Sequence, residues 1–163
     1  MKIYKTFLIA LLIIVADQIS KFWVMDMLWP DGVDGFQSRE ILPFFNLVTV
    51  WNKGVSFGML RNDHDFGPIL LIILSLVIAG GFAVWAFRTK DKIHHLCTGL
   101  IIGGAIGNVI DRILHRAVFD FLDFHAFGFH WPAFNIADSS ICVGVFILMF
   151  YSLLFEKNLQ SAT

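Results

Sequence analysis

Charge is the scarce ingredient of this sequence. Asp, Glu, Lys and Arg make up only 15% of its 163 residues, and the 12 basic and 13 acidic side chains leave a formal net charge of −1. That is too little charge for the surface of an ordinary soluble domain, and the balance of signs offers nothing to a nucleic acid. Cysteine is almost missing. Cys97 and Cys142 each lie inside an apolar run, so they read as small buried hydrophobes rather than a disulfide or a metal pair. There is no His-Glu-x-x-His, and His125 and His130 are not spaced as a helical i, i+4 pair. A metal hydrolase built on His115, His125 and His130 therefore has no motif behind it. No metal and no cofactor is expected. Internal repeats and low-complexity linkers are missing too. The main alternative from another class is a small transporter or channel, with intramembrane Asp and Arg lining a pathway. The lack of a repeated half counts against it. One domain over residues 1–163 is the economical reading.

Hydrocarbon is what the chain has in abundance. It is 57% hydrophobic with a mean hydropathy of +0.73, which is the composition of a bilayer protein. Its 18 Phe and 5 Trp suit lipid contact and the interfacial belt. Four stretches are long and apolar enough to span, approximately 6–25, 66–87, 95–114 and 137–155. Lys2 and Lys5 ahead of 7–16 imitate a cleaved signal peptide, but apolar character resumes at Ile19, Phe22 and Trp23, so a first membrane helix is expected. Between the first two spans, Trp29-Pro30-Asp31-Gly32 is turn chemistry and 44–51 is aromatic and β-branched, hence a strand. Asn52-Lys53-Gly54 reads as a hairpin turn with 55–60 as its return strand, a small β element over about 40–62. The fold class is a mainly α membrane protein of four transmembrane helices with this small extracytoplasmic β element. Four spans leave both termini on one side. The short segments there concentrate six Lys and Arg, which makes that side cytoplasmic.

The third span carries Gly99, Gly103 and Gly107 at four-residue intervals, a stripe that lets a neighbouring helix approach. Asn108, Asp111, Arg112 and His115 share one face near its end, and a polar stripe there must look at protein or a wet cavity. Asp111 and Arg112 are either a structural ion pair or part of a site. A fixed guanidinium is well suited to hold a peptide carbonyl. Asp17 and Lys21, four apart in the first span, are either a self-paired couple with Lys21 snorkelling to the interface or groups that face a protein interior.

Carboxylates against hydrocarbon are expensive, and three compete for a role: Asp120, Asp123 and Asp138. Asp138, followed by Ser139 and Ser140 at the start of the fourth span, has a plain alternative role as a helix N-cap. Asp120 sits in Val118-Phe119-Asp120-Phe121. If that segment is extended, Asp120 and Asp123 point to opposite faces and only one of them meets Asp138. Two carboxylates about 3 Å apart share a proton. The ionised member takes a proton from an intervening water while the protonated one donates to a scissile carbonyl, with no metal and no nucleophilic side chain.

Five ordered blocks resemble the lipoprotein signal peptidases (signal peptidase II), a family of bacterial inner-membrane aspartic peptidases. They are Asp17-Gln18 with Lys21, Asn52-Lys53-Gly54-Val55-Ser56-Phe57-Gly58, Gly107-Asn108-Val109-Ile110-Asp111-Arg112, Val118-Phe119-Asp120-Phe121 and Phe134-Asn135-Ile136-Ala137-Asp138-Ser139. The resemblance implies four transmembrane helices, a periplasmic β-cradle and a second periplasmic segment over the site. It implies that Asp120 and Asp138 are the catalytic pair, that Asn108, Arg112 and Asn135 hold substrate backbone or orient the pair, and that Asp111 supports them. Asn52 and Gly54 would border the substrate, and Asp17 and Lys21 would belong to the supporting set. Asp123 would be a surface or cradle residue. The implied substrate is a prolipoprotein carrying diacylglycerol on its lipobox cysteine, cut just before that cysteine. The expected setting is the inner membrane with its phospholipids, the site near the periplasmic face, and a monomer.

Overall fold

The computed structural model describes residues 3–30, 32, 35–54 and 66–156. Four helices, α1 (Ile3–Leu28), α2 (Phe66–Arg88), α3 (Lys92–His115) and α4 (Ile136–Tyr151), carry the chain, α4 running on through a π-helical turn at Ser152–Glu156. All four are long and apolar enough to cross a membrane. Leu12, Ile19 and Phe22 on α1 and Ile73, Val77 and Phe87 on α2 point outward, as helices apolar on all sides require in lipid.

Helix α3 is the centre of the bundle and packs against the other three. Its small residues make that possible. A Cβ at Gly103 would lie 2.8 Å from the Ala10 carbonyl oxygen, and one at Gly104 would strike the Ala137 carbonyl, so α1 and α4 both approach α3 backbone to backbone. The Thr6 hydroxyl, 2.7 Å from His95 Nδ1, ties α1 to the start of α3. That start is capped by Asp91, whose carboxylate accepts from the Ile93 and His94 amides and from the Tyr151 hydroxyl.

The chain between α1 and α2 and the chain between α3 and α4 meet at one end of the bundle. There β1 (Ser38–Leu42), β2 (Phe45–Asn52), β3 (Val118–Ala126) and β4 (Phe129–His130) form an antiparallel sheet in that order. The strand expected at 44–51 is present as β2, but its hairpin partner is the preceding β1 across the Pro43-Phe44 turn, and its other neighbour is β3. The return strand expected at 55–60 lies outside the described residues. Helix α3 ends at Arg116, in the left-handed region at φ 60, where its N–H bonds the Arg112 carbonyl, and β3 begins two residues later. Phe119, fully buried, sets its ring 5.7 Å from Trp29 and 5.3 Å from Trp51, with Val24, Leu47 and Phe121 around it. Burial of one such ring contributes about 1.5–3 kcal/mol. This cluster fixes β3 against the end of α1.

Candidate active site

The β2–β3 register contains one irregularity. Leu47 lies opposite Leu122 and Val50 opposite Asp120, so three steps on β2 match two on β3. This is a β-bulge, and it reverses the alternation of β2 at that point. Before it, Asn46 faces Asp123 and donates to its Oδ2 at 2.9 Å. Beyond it, Asn52 faces Asp120 and donates to its Oδ2 at 2.9 Å. Asp120 and Asp123 point to opposite faces of β3, as three-residue spacing on an extended strand requires. Gly54 aims Asn52: its N–H donates to Asn52 Oδ1 at 2.8 Å, which turns the amide nitrogen toward Asp120. Gly54 has φ +91, and a Cβ there would strike Leu71, so no larger residue closes this turn unstrained.

At the other wall, α4 begins with Asn135, not Asp138, as its N-cap. Asn135 Oδ1 accepts from the Asp138 N–H at 2.9 Å and Asp138 Oδ2 accepts from the Asn135 N–H at 3.3 Å, a reciprocal capping box. Asp138 is therefore one turn inside the helix, and its other oxygen, Oδ1, faces α3. The Asn135 amide nitrogen reaches across to Asp120 Oδ1 at 2.8 Å. Asn108 on α3 donates to Asp138 Oδ1 at 2.7 Å, and its own oxygen accepts from Asn135 at 3.2 Å. Three asparagines from β2, α3 and the start of α4 thus hold two carboxylates from β3 and α4, and Asn135 touches both.

Asp120 is 1% exposed and Asn135 fully buried. Burial pushes the Asp120 carboxyl up to about 7; the Asn52 and Asn135 amides oppose this, and the Asp138 charge adds to it. Asp123 behaves differently. Burial opposes its ionisation, but hydrogen bonds with His130 and Asn46 outweigh that and hold it below the ordinary carboxylate value. It is not a surface group: it is 6% exposed, with both oxygens 2.9 Å from His130 Nδ1. His130 stacks on His125, and His115 lies against Trp51.

Lys21 does not snorkel. It is 1% exposed, with its ammonium 2.7 Å from Asp17 Oδ2 and 2.9 Å from Asp111 Oδ2. Asp111 therefore pairs with Lys21 and not with Arg112. Arg112 Nη1 donates to the Asn108 carbonyl at 3.3 Å, and the guanidinium feels the charges of Asp138, Asp120 and Asp111. Gln18, to which spacing assigns no role, joins this cluster. It donates to Asp17, to Asp111 and to the Gly107 carbonyl. Its signals in the sequence are its polarity amid an apolar run and its place beside Asp17 in the first of the five blocks. An open cavity of about 370 Å³ has Asp120, Asn52, Lys53, Gly54 and Ala133 on its walls.

A multi-span bundle that gathers two carboxylates under three asparagine amides has the make-up of a class, the membrane aspartic peptidases. The sequence pattern of signal peptidase (SPase) II matches residues 9–154, and the chain belongs to that family. It is 41% identical over 153 residues to the lipoprotein signal peptidase of Thermodesulfovibrio yellowstonii, covering 94% of this chain and 97% of that protein. It is 44% identical over 151 residues to that of Caulobacter vibrioides, covering 92% and 87%. Two solved structures of bacterial membrane enzymes share the fold. One has TM-score 0.77 at 28% identity over 93% of both chains; the other has TM-score 0.76 at 29% identity over 94% of this chain and 90% of that one. The chain is thus a bacterial membrane protein of a protease family, and a transporter or channel is not favoured.

Proposed function

We propose that the protein removes the signal peptide from diacylglyceryl-modified prolipoproteins, cutting just before the lipid-bearing cysteine with water activated between Asp120 and Asp138. The observation that carries this reading is Asn135, whose one side chain is bonded to Asp120 Oδ1 and to the Asp138 amide. It holds the two acids together from opposite walls. Asp120, raised to about 7, carries the shared proton near neutral pH and gives it to the scissile carbonyl oxygen. Asp138 takes a proton from the attacking water and passes one to the leaving amine. Arg112, half-buried beside the pair, holds the substrate backbone, and Asn52 and Gly54 border it along the cavity.

The active site lies near the outer face of the inner membrane with both termini cytoplasmic, a reading supported by the clustered Lys and Arg of the short segments. The substrate's acyl chains stay among the membrane phospholipids, and its cleavage point meets the pair at headgroup depth. The protein acts as a monomer without a metal. In a detergent or vesicle assay, diacylglyceryl-modified precursor is cut at least about a hundredfold faster than the same unmodified precursor, since remote binding energy is what brings the bond to the pair, and EDTA leaves the rate unchanged. Equal cleavage of both precursors would refute the lipid requirement. Asp123→Asn keeps most of the activity, because Asp123 bonds Asn46 and His130 on the far face of β3. Total loss in that variant would move the pair to Asp123.

A further inference from the structure

We propose that Lys21 is a positioning residue for the aspartate pair: its ammonium clamps Asp17 and Asp111, and each of these carboxylates holds the backbone N–H immediately ahead of one of the two site aspartates. The proposal rests on the reading of Asp120 and Asp138 as the reacting pair. Its geometry is specific. Asp17 Oδ1 accepts the Ala137 N–H at 2.9 Å, and Asp111 Oδ2 accepts the Phe119 N–H at 3.0 Å. Ala137 precedes Asp138, and Phe119 precedes Asp120. Lys21 Nζ lies 2.7 Å from the first carboxylate and 2.9 Å from the second. The backbone supports of both acids therefore converge on one ammonium from α1.

The cost of this arrangement argues against mere helix glue. Asp17, Lys21 and Asp111 are 0%, 1% and 3% exposed, and three charges removed from water are retained only where their partners repay it. Glycines already bring α1 and α3 together; nothing in that packing requires the two carboxylates to reach amides of α4 and β3. Gln18, bonded to both carboxylates, closes the cluster from the side. Lys21 also acts at a distance, since its charge favours ionised Asp120. The charged groups around Asp120 are Asp138 on α4, Arg112 and Asp111 on α3, Asp17 and Lys21 on α1, and Lys53 at the end of β2. Lys21 is the one cation among them bonded to both supports.

The test is the full-length protein with Lys21→Met and Lys21→Arg, assayed on lipid-modified precursor across pH. Lys21→Met is expected to lower kcat on the order of 10²-fold with KM little changed, because a displacement of the pair by about 1 Å costs that much. The alkaline limb of its kcat/KM profile moves to higher pH, since a charge that favoured ionised Asp120 is gone. A merely structural lysine would lower the melting temperature and leave kcat per folded molecule and the limb in place; that result overturns the proposal. If Lys21→Met does not fold, Lys21→Arg decides. It keeps the charge but replaces a compact head by a planar fork, so kcat falls and the limb stays. Wild-type kcat in Lys21→Arg overturns the proposal. If these variants are normal while Asp120→Asn is inactive, the positioning role fails and the pair stands. If Asp120→Asn is active, the pair itself fails.

Discussion

Replacing Asp120 or Asp138 by asparagine is expected to lower turnover of lipid-modified precursor by about 10³-fold or more, with the protein still folded. Each replacement removes one half of a proton relay, and a positioned acid or base is worth roughly 10²–10⁴ in rate. The two losses have different origins. At Asp120 the variant keeps one oxygen for the Asn52 or Asn135 amide but has no acidic proton to give. At Asp138 it keeps an acceptor for Asn108, and the first turn of α4 retains its cap through Asn135 Oδ1. Neither change opens a cavity, since Asn and Asp are nearly isosteric. Because the two act as a unit, the double variant is expected to be no slower than either single one. Turnover measured beside thermal unfolding separates lost chemistry from lost fold. A single variant with near-normal turnover would remove that aspartate from the mechanism.

The parts of this architecture that were legible from residues alone are those governed by local hydrocarbon. The spans announce themselves by length, and α3 by glycines whose spacing matches the close approach they permit. Asp120 and Asp138 were legible only as candidates, and the family resemblance chose between Asp120 and Asp123. In the structure the strand turns these two to opposite faces, and Asp120 is the one that shares Asn135 with Asp138. What stayed hidden depends on distant partners. Strand β1, Ser38–Leu42, is exposed along its whole length, so no alternation marks it. Pairing of β2 with β3 joins segments separated by two membrane helices, and the bulge that aims Asn52 at Asp120 exists only in that pairing. Spacing put Asp17 and Lys21 on one face but could not say that Asp111 would arrive between the lysine and Phe119. Likewise Asn135 and Asp138 both satisfy cap chemistry, and only the backbone, extended at Asn135, decides which one caps.

Activity is expected to fall about tenfold per pH unit above pH 7, and the fold is expected to weaken as pH rises toward that value. Burial raises the Asp120 carboxyl from 3.8 to about 7, so its proton stays on in the folded state where an unfolded chain has already released it. Just below about 7 Asp120 holds the proton that the chemistry needs. Above it, Asp120 is charged and no longer donates to the carbonyl, so kcat/KM, which reports the free enzyme, declines. The stability consequence has a definite sign. A group whose folded pKa is raised contributes its full stability below the unfolded value, near 3.8, and loses it as pH climbs through about 7. Across that window the loss is on the order of 4 kcal/mol, at about 1.4 per unit. Asp120→Asn carries no proton to lose. One of the two amide donors then meets a nitrogen instead of an oxygen, which costs about 1–3 kcal/mol at every pH. The variant's absolute stability is thus set by opposing effects, but its pH dependence is not: its melting temperature should differ less between pH 5 and pH 8 than that of the wild type. A kcat/KM profile flat from pH 6 to 9, with equal melting shifts in both proteins, would show that Asp120 does not hold the proton and would reverse the roles of the two acids.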